Sequence, residues 1–219
     1  MILLEAKKSL RADMYVNRVA SLLSAVMAVF MLALGVATVH AESASTAHVL
    51  AEDVKNDLIA VIKKKESLEQ EGGPEKYYAE IEAVLVPVVD FGYISRGVMG
   101  KYVKSASDSQ KASFAKTFQQ GLVTTYGKGL AGYADHDIQV LPPEGDVTGK
   151  RSLSVVLRVQ GGDTTNILSF SMKQNRDKEW KITNMILNGI NLGKTFRNQF
   201  DQAMQKSGNL DQVIADWRV

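Results

Sequence analysis

The stretch WKITNMILNGINLGKTFRNQF, residues 180–200, carries a strand pattern that turns directly into a helix pattern. Its first part, Trp180–Leu187, is rich in apolar and β-branched residues, as strands are. At Asn188-Gly189, between strand and helix, a positive φ or a close approach of the backbone would explain a residue without a side chain at Gly189. Phe196 and Phe200 are four positions apart and therefore share one face of the helix that follows. The stretch contains no cysteine, histidine or carboxylate, which favours a structural or binding role over catalysis.

The N-terminal segment has the three parts of a secretory signal peptide. Basic residues precede an apolar run, Val19–Val39, that contains no charge, and the small-residue site Val39-His40-Ala41 follows. The run is longer than the usual apolar region of about 7–15 residues, so an uncleaved membrane anchor is the alternative. We expect export with cleavage after Ala41, which leaves residues 42–219 as a single mature domain.

Cysteine content and charge exclude several classes of function. The 219-residue chain has no cysteine, which rules out disulfides, thiolate nucleophiles and cysteine-ligated metals. The formal net charge of +2 comes entirely from residues 1–41, so the remainder is neutral overall. A neutral domain lacks the excess of positive charge that drives nucleic-acid binding, and we predict no nucleic-acid partner.

The first half of the mature segment is predicted to be helical. Apolar residues recur with a helical period over Thr46–Leu68 and Glu75–Val86, and Gly72-Gly73-Pro74 breaks the chain between them. Ser107 and Gln110 have the spacing of a capping box, which begins the longest predicted helix of the mature chain. Aromatic and aliphatic residues recur every three or four positions along that helix and predict one apolar stripe: Phe114, Phe118, Leu122, Tyr126, Leu130 and Tyr133.

Beyond the long helix the apolar period changes from helical to alternating, which predicts strands. We expect them near Ile138–Val140, Leu153–Val159, Ile167–Met172 and Trp180–Leu187, with closing helices at Phe196–Met204 and Leu210–Trp217. This order predicts an α+β fold, an antiparallel sheet of about four strands wrapped by helices. Strict alternation would place Met185 and Leu187 on the face opposite Trp180, Ile182 and Ile186.

The segment Asp135-His136-Asp137 is the best candidate for acid–base chemistry or metal binding. Adjacent strand residues point to opposite faces, so the three side chains converge only if the loop bends. His48 lies near the start of the mature chain, where fraying is expected. The familiar nucleophile, phosphate-loop and zinc motifs are absent from the sequence, so we predict no enzyme activity, cofactor or metal. An isomerase-like or dehydratase-like enzyme on a cone-shaped α+β fold is the alternative.

Three charged residues flank predicted element ends: Asp90, Arg96 and Arg197. They either form the polar margin of a pocket or a partner contact, or they serve as ion pairs and helix caps, which is the commoner role at such positions.

The apolar stripe and the strand face Leu153–Val159 have two interpretations. They pack against each other as a filled core, as in a ligand-free interaction or chaperone module, or they stand apart and line an apolar cavity. Periodicity does not distinguish a filled core from a lined cavity.

Two segments resemble a known family. DFGYISRGVMGKYVKSASDSQKASFAKTFQQGL, residues 90–122, is similar to the family pattern Asp-Phe…Arg…Leu-Gly-Lys-Tyr-Trp…Gln…Phe…Phe. SFSMKQNRDKEWKITNMILNGINLGKTFRNQF, residues 169–200, is similar to a strand, a Trp-Lys-Val strand, Gly-Val-Ser-Leu and Tyr-Arg-x-Gln-Phe. On these motifs residues 46–218 resemble the periplasmic lipid carriers of the maintenance-of-lipid-asymmetry pathway, the MlaC or toluene-tolerance auxiliary family. The chain departs from the pattern at Val103, Asn184, Asn191 and Phe196, where the family often has Trp, Asp, Ser and Tyr.

The resemblance implies a soluble periplasmic shuttle that carries phospholipid between an outer-membrane lipoprotein complex and an inner-membrane ATP-driven transporter. Either a glycerophospholipid or a hopanoid would suit the apolar residues, and the direction of transport is open. The acyl chains would lie in an apolar pocket between sheet and helices, and the charged residues Asp90, Arg96 and Arg197 would lie at its margin or contact a partner. The predicted lipid-binding residues are Phe114, Phe118, Leu122, Tyr126, Leu130, Leu153, Val155, Leu157, Val159, Leu168, Phe170, Met172, Ile182, Phe196 and Phe200.

Overall fold

Residues 45–219, described by a computed structural model, form helices on either side of a meandering sheet in chain order. The predicted signal peptide, residues 1–41, lies outside the described residues. The helices are α1 (Thr46–Lys63), α2 (Lys65–Leu85), α3 (Phe91–Met99), α4 (Asp108–Leu130), α5 (Leu192–Ser207) and α6 (Leu210–Asp216). Short 3₁₀ helices, Gly100–Lys104 and Ala131–Tyr133, follow α3 and α4. Within residues 45–219, no helix combines the length and apolarity needed to cross a membrane.

The capping box and the glycine break lie where they were expected, but the helix predicted over Thr46–Leu68 is divided, because α1 ends at Lys63 and α2 begins at Lys65. The Ser107 hydroxyl accepts a hydrogen bond from the Gln110 amide, and the Gln110 side chain accepts one from the Ser107 amide, so the capping box begins α4. The break at Gly72-Gly73-Pro74 is a kink within α2, where Gly73 has φ 73°. Helix α4 has 23 residues and is the longest described helix, as predicted.

The sheet is an antiparallel meander in the order β1-β2-β3-β4-β5. Its strands are β1 (Asp137–Val140), β2 (Ser152–Gly161), β3 (Thr164–Gln174), β4 (Trp180–Leu187) and β5 (Ile190–Asn191). The α+β fold is therefore confirmed, with five strands in place of about four. Strand β5 has only two residues, too few to show an alternating pattern in the sequence.

The turn between β4 and β5 has positive φ at both central residues, 48° at Asn188 and 81° at Gly189. These values are typical of a type I′ turn, which asparagine followed by glycine favours. The Asn188 side chain also accepts a hydrogen bond from the Ile167 amide at 2.8 Å, which ties the turn to β3. Of the two explanations for Gly189, the positive φ is correct, and no atom lies within 4 Å of the Cβ position that a close approach would fill.

A β-bulge in β4 corrects the predicted assignment of its faces. Met172 pairs with Ile182 whereas Ser171 pairs with Asn184, so Thr183 is the extra residue in β4. Directly paired residues share a face, and the bulge shifts the alternation by one position. Met185 and Leu187 therefore share the face of Trp180 and Ile182, which strict alternation had placed on the opposite face. Ile186 lies on the opposite face of the sheet, where it pairs with Ser169.

Buried residues form three separate clusters. The helical cluster joins α3, α4, α5 and α6 through Phe114, Phe118, Phe196, Phe200 and Trp217. The sheet cluster lies where α1 packs on the face of the sheet that carries Val155 and Ile182, called the inner face below. The third cluster joins α1, α2 and α4 around Tyr77, Ile81 and Val123.

Helix α4 contributes to two of these clusters with different sides, so the predicted single stripe is wrong. A step of four residues along an α-helix turns the side chain by about 40°, and the turn accumulates along the helix. Phe114 and Phe118 consequently face the helical cluster, whereas Val123 and Leu130 face the third cluster. Tyr126 lies between the two sides and is 44% exposed.

Candidate functional site

One apolar row crosses the inner face of the sheet from edge to edge. The register pairs Val140 with Leu157, Leu157 with Leu168, Leu168 with Leu187, and Leu187 with Ile190. The exposed fraction rises along the row from 5% at Leu157 to 59% at Ile190, with Leu168 and Leu187 half-buried. The row is therefore covered over β2 and progressively uncovered toward β5.

A second row runs parallel to the first and consists of Val155, Phe170 and Met185. Val155 is fully buried, whereas Phe170 and Met185 are half-buried. The side chains in the covered part pack against Ala47 and Ala51 of α1. Together the half-buried and exposed residues Leu168, Phe170, Met185, Leu187 and Ile190 form what we call the open strip.

Helix α1 is fixed over the covered part of the inner face. The Trp180 indole N–H donates a hydrogen bond to the Thr46 hydroxyl at 2.8 Å. His48 in the same turn of α1 is buried, and its Nδ1 lies 2.7 Å from the Ser45 hydroxyl. Burial lowers the pKa of His48 because the charged imidazolium loses hydration. The expectation that His48 lies in a frayed segment is therefore wrong.

The predicted lipid-binding residues are distributed over all three clusters. Four aromatic residues lie inside the helical cluster: Phe114, Phe118, Phe196 and Phe200. Leu122 packs against this cluster. Leu130 packs against the third cluster, and Tyr126 is exposed. The remaining residues are strand residues that lie on the inner face: Leu153, Val155, Leu157, Val159, Leu168, Phe170, Met172 and Ile182. The structure thus brings the strand residues together and places the four phenylalanines in a different core.

Three residues of the open strip were not predicted from the sequence: Met185, Leu187 and Ile190. Met185 and Leu187 were assigned to the wrong face because the sequence shows no sign of the bulge at Thr183. Ile190 belongs to the strip through its pairing with Leu187. The Asn188-Gly189 signal could have predicted that pairing, since a two-residue hairpin turn fixes the register of the strands it joins.

Asp90 caps helix α3. Its Oδ1 accepts a hydrogen bond from the Tyr93 amide at 2.7 Å, which is the role of an N-cap carboxylate. Asp90 also lines a surface cavity of about 370 Å³ together with Phe91, Gln119 and Lys181. Arg96 is exposed on the same helix, with its guanidinium close to Gly92.

Arg197 links α5 to the end of α3. Its Nε donates a hydrogen bond to the Gly97 carbonyl at 2.7 Å, and its aliphatic part lies against Gly100. Carbonyls in the last turn of a helix lack intrahelical partners, so this contact caps α3. Gly100 has φ 56° and lies near the Arg197 side chain, where an added Cβ would be 3.5 Å from Cγ.

A network of polar contacts adjoins Arg197. The Lys101 ammonium lies 2.9 Å from Asp201 Oδ1, and the Tyr102 hydroxyl donates to the same oxygen at 3.0 Å. Hydrogen bonds from Lys101 and Tyr102 hold the pKa of Asp201 below its usual value. Arg197, Lys101, Tyr102 and Asp201 line a second surface cavity of about 220 Å³.

The candidates for acid–base chemistry do not converge. The His136 ring packs against Tyr133 at a tilt of 50°, with the ring centroids 4.8 Å apart, and it lies so close to Gly161 that any side chain there would overlap it. Asp137 accepts a hydrogen bond from the Gln139 side chain. Within residues 45–219, no group of three histidine, cysteine or carboxylate side chains is placed to hold a metal ion.

The described residues thus form an α+β fold in which helices pack against an antiparallel sheet with a partly uncovered apolar face. The family model described as "MlaC protein" matches residues 52–219, so the chain belongs to the MlaC family. The family assignment drawn from the sequence is confirmed. Members of this family are lipid-binding transport proteins and not enzymes, which confirms the prediction that the chain is not an enzyme.

The curated relatives agree with this assignment, and one solved structure has a similar fold. Toluene tolerance protein ttg2D of Pseudomonas putida is 35% identical over 177 residues, 80% of this chain and 81% of the relative. The intermembrane phospholipid transport system binding protein MlaC of Haemophilus influenzae is 26% identical over 133 residues, 59% of this chain and 61% of the relative. A phospholipid-binding protein from Ralstonia solanacearum, solved in complex with a phospholipid, has a TM-score of 0.69 and 21% identity. That alignment covers 77% of this chain and 93% of the solved one, and it supports the fold.

Proposed function

We propose that this protein is a periplasmic shuttle that carries a phospholipid between an inner-membrane ATP-driven transporter and an outer-membrane lipoprotein complex. The observation that carries the proposal is the open strip, an apolar surface continuous with the buried sheet cluster. The names of the relatives add support, since one is called a binding protein of intermembrane phospholipid transport.

The physical need for such a surface follows from the hydrophobic effect. Transfer of each buried methylene group out of water contributes about 0.8 kcal/mol, so two acyl chains cross an aqueous space only when they are covered. The open strip supplies apolar wall on one side, and movement of α1 or of the helical cluster away from the sheet would extend the covered volume. No nucleophile or acid–base pair is required for this task.

The first experiment is native mass spectrometry of the exported protein. A co-purified lipid is expected, and its mass distinguishes a glycerophospholipid from a hopanoid. A ligand-free protein after gentle preparation would contradict the proposal and favour the interaction or chaperone module.

A matched pair of variants tests whether the lipid lies on the inner face. Ile190 and Ile167 are both exposed isoleucines near the same end of the sheet. Ile190 pairs with Leu187 on the inner face, whereas Ile167 alternates with Leu168 and lies on the other face. Ile190→Asp should reduce the amount of bound lipid, and Ile167→Asp should leave it unchanged. Equal lipid content in both variants would remove the open strip from the binding site.

Export is the second part of the proposal. We infer that residues 1–41 are removed, so N-terminal sequencing of the periplasmic protein should begin at Glu42. Recovery of the intact segment in the membrane fraction would instead favour an anchored carrier.

A further inference from the structure

The cavity beside Arg197 is a second surface feature that the lipid proposal does not use. It has a volume of about 220 Å³ and lies between the 3₁₀ helix Gly100–Lys104 and the middle of α5. Its wall includes Gly100, Lys101, Tyr102, Arg197, Asn198 and Asp201. None of these residues belongs to the sheet cluster, so the cavity is separate from the open strip.

The Arg197 side chain is held in a fixed position, but only part of its hydrogen-bonding capacity is used. Its Nε is bonded to the Gly97 carbonyl, which fixes the plane of the guanidinium. Among the described residues, the two Nη atoms make no hydrogen bond or ion pair. A guanidinium fixed in this way offers a planar pair of donors that matches a carboxylate.

The surroundings of the cavity are basic. Lys194 and Arg197 lie on the same side of α5 as Asn198 and Asp201, because positions three, four and seven apart share a helix face. Lys101 and Lys104 lie three positions apart in the 3₁₀ helix and therefore on one side of it, and both are exposed. The carboxylate of Asp201 is already engaged by Lys101 and Tyr102. The exposed basic groups are thus in excess at this surface.

We propose that the Arg197 cavity receives a carboxylate side chain from an acidic segment of a protein partner. The volume is below the roughly 300–1,000 Å³ of typical small-molecule pockets, so it suits one side chain and excludes a two-chain lipid. The basic residues around the cavity favour an acidic neighbourhood on the partner. The inference rests on the proposed shuttle function, because a carrier must dock on the complexes that load and unload it.

The test uses Asn198, which lines the cavity without contributing to the bond between Arg197 and Gly97. Asn198→Glu places a negative charge in the wall, and Asn198→Gln is the matched neutral control. The probe is a fluorescein-labelled peptide of alternating glutamate and glycine, and its binding to the full mature protein is followed by fluorescence anisotropy at low and high salt. Vesicles of phosphatidylglycerol and phosphatidylcholine are the second probe.

The wild-type protein and Asn198→Gln should bind the peptide in a salt-sensitive manner, and Asn198→Glu should weaken binding by about tenfold or more. Arg197→Lys keeps the positive charge but loses the paired donors of the planar guanidinium, so it should also weaken binding. Lack of peptide binding by the wild type, or equal binding by Asn198→Glu and Asn198→Gln, would overturn the proposal. Binding to the vesicles in place of the peptide would also overturn it and assign the surface to a membrane.

Lipid content and melting temperature separate this proposal from the shuttle function and from simple unfolding. Native mass spectrometry of Asn198→Glu should show the wild-type amount of lipid, and its melting temperature should equal that of Asn198→Gln. A protein without lipid that still binds the peptide through Arg197 would refute the carrier and retain the docking surface.

Discussion

The helical cluster and the inner face of the sheet are both apolar, but they are packed differently. In the helical cluster Phe114, Phe118 and Phe200 are completely buried, and edge-to-face contacts join Phe114 to Phe200 and Trp217. On the inner face burial decreases from Val155, which is completely buried, to Ile190, which is the most exposed of the large apolar residues described. The helical cluster is a completely buried, closely packed core. The inner face is only partly covered by other parts of the chain.

The difference shows why apolar pattern is a poor guide to a lipid site. Closely packed aromatic rings leave no room for an acyl chain unless the helices rearrange. Half-buried side chains at the uncovered end of a sheet can accept a ligand at small cost to the fold. The comparison supports the proposal that the lipid binds on the open strip, and it suggests that the four phenylalanines of the helical cluster contribute to stability.

The largest expected effect is in the helical cluster. Phe114→Ala should lower the free energy of unfolding by about 3–5 kcal/mol, because it leaves a cavity among rings that are completely buried. Chemical denaturation of the lipid-free protein measures the change. A variant of unchanged stability that has lost its lipid would reverse the comparison and place the acyl chains among the helices.

The corresponding change on the inner face should affect binding more than stability. Phe170→Ala removes a half-buried ring, so we expect a loss of about 1–2 kcal/mol in the free energy of unfolding. Lipid content by native mass spectrometry should fall below that of the wild type. If Phe170→Ala destabilises the protein as much as Phe114→Ala does and retains its lipid, the inner face is ordinary core.

The turn that carries β5 should be sensitive to backbone conformation alone. Gly189 has φ 81°, and no atom lies within 4 Å of the Cβ that alanine would add. Gly189→Ala should therefore cost about 1–2 kcal/mol of stability through strain and not through a clash. Gly129 in α4 also has open space but lacks a positive φ, so Gly129→Ala should stabilise by about 0.5–1 kcal/mol. Thermal unfolding of the pair gives both signs, and equal shifts in one direction would contradict the explanation.

The smallest expected effect concerns the helix that covers the inner face. The pKa of His48 is lowered in the folded state, so unfolding takes up a proton below the usual pKa of about 6.5. The contribution of His48 to stability is complete above that value and is lost as the pH falls toward the folded-state pKa. Denaturation at a series of pH values should show this loss in the wild type and a smaller loss in His48→Gln. An unchanged slope in His48→Gln would show that protonation of His48 does not loosen α1.

Local signals in the sequence determined the start of α4, the kink in α2 and the turn at Asn188-Gly189. Each depends on residues within a few positions of one another, such as Ser107 with Gln110. The strand face Leu153–Val159 was also predictable, because alternation holds while a strand remains regular. The same alternation in β3 made Leu168 and Phe170 predictable, which are two of the five residues of the open strip.

The tertiary structure decided which apolar residues are core and which remain open. The bulge at Thr183 depends on the pairing of β4 with β3, and it moved Met185 and Leu187 to the inner face. Which side of α4 is buried depends on the helices that pack there, so one apparent stripe was divided between two clusters. The bond from Arg197 to Gly97 joins residues 100 positions apart. Whether a residue is buried depends on the residues that pack against it, and these often come from distant parts of the chain. The local sequence pattern shows which side of a helix or strand is apolar, but it does not show what covers that side.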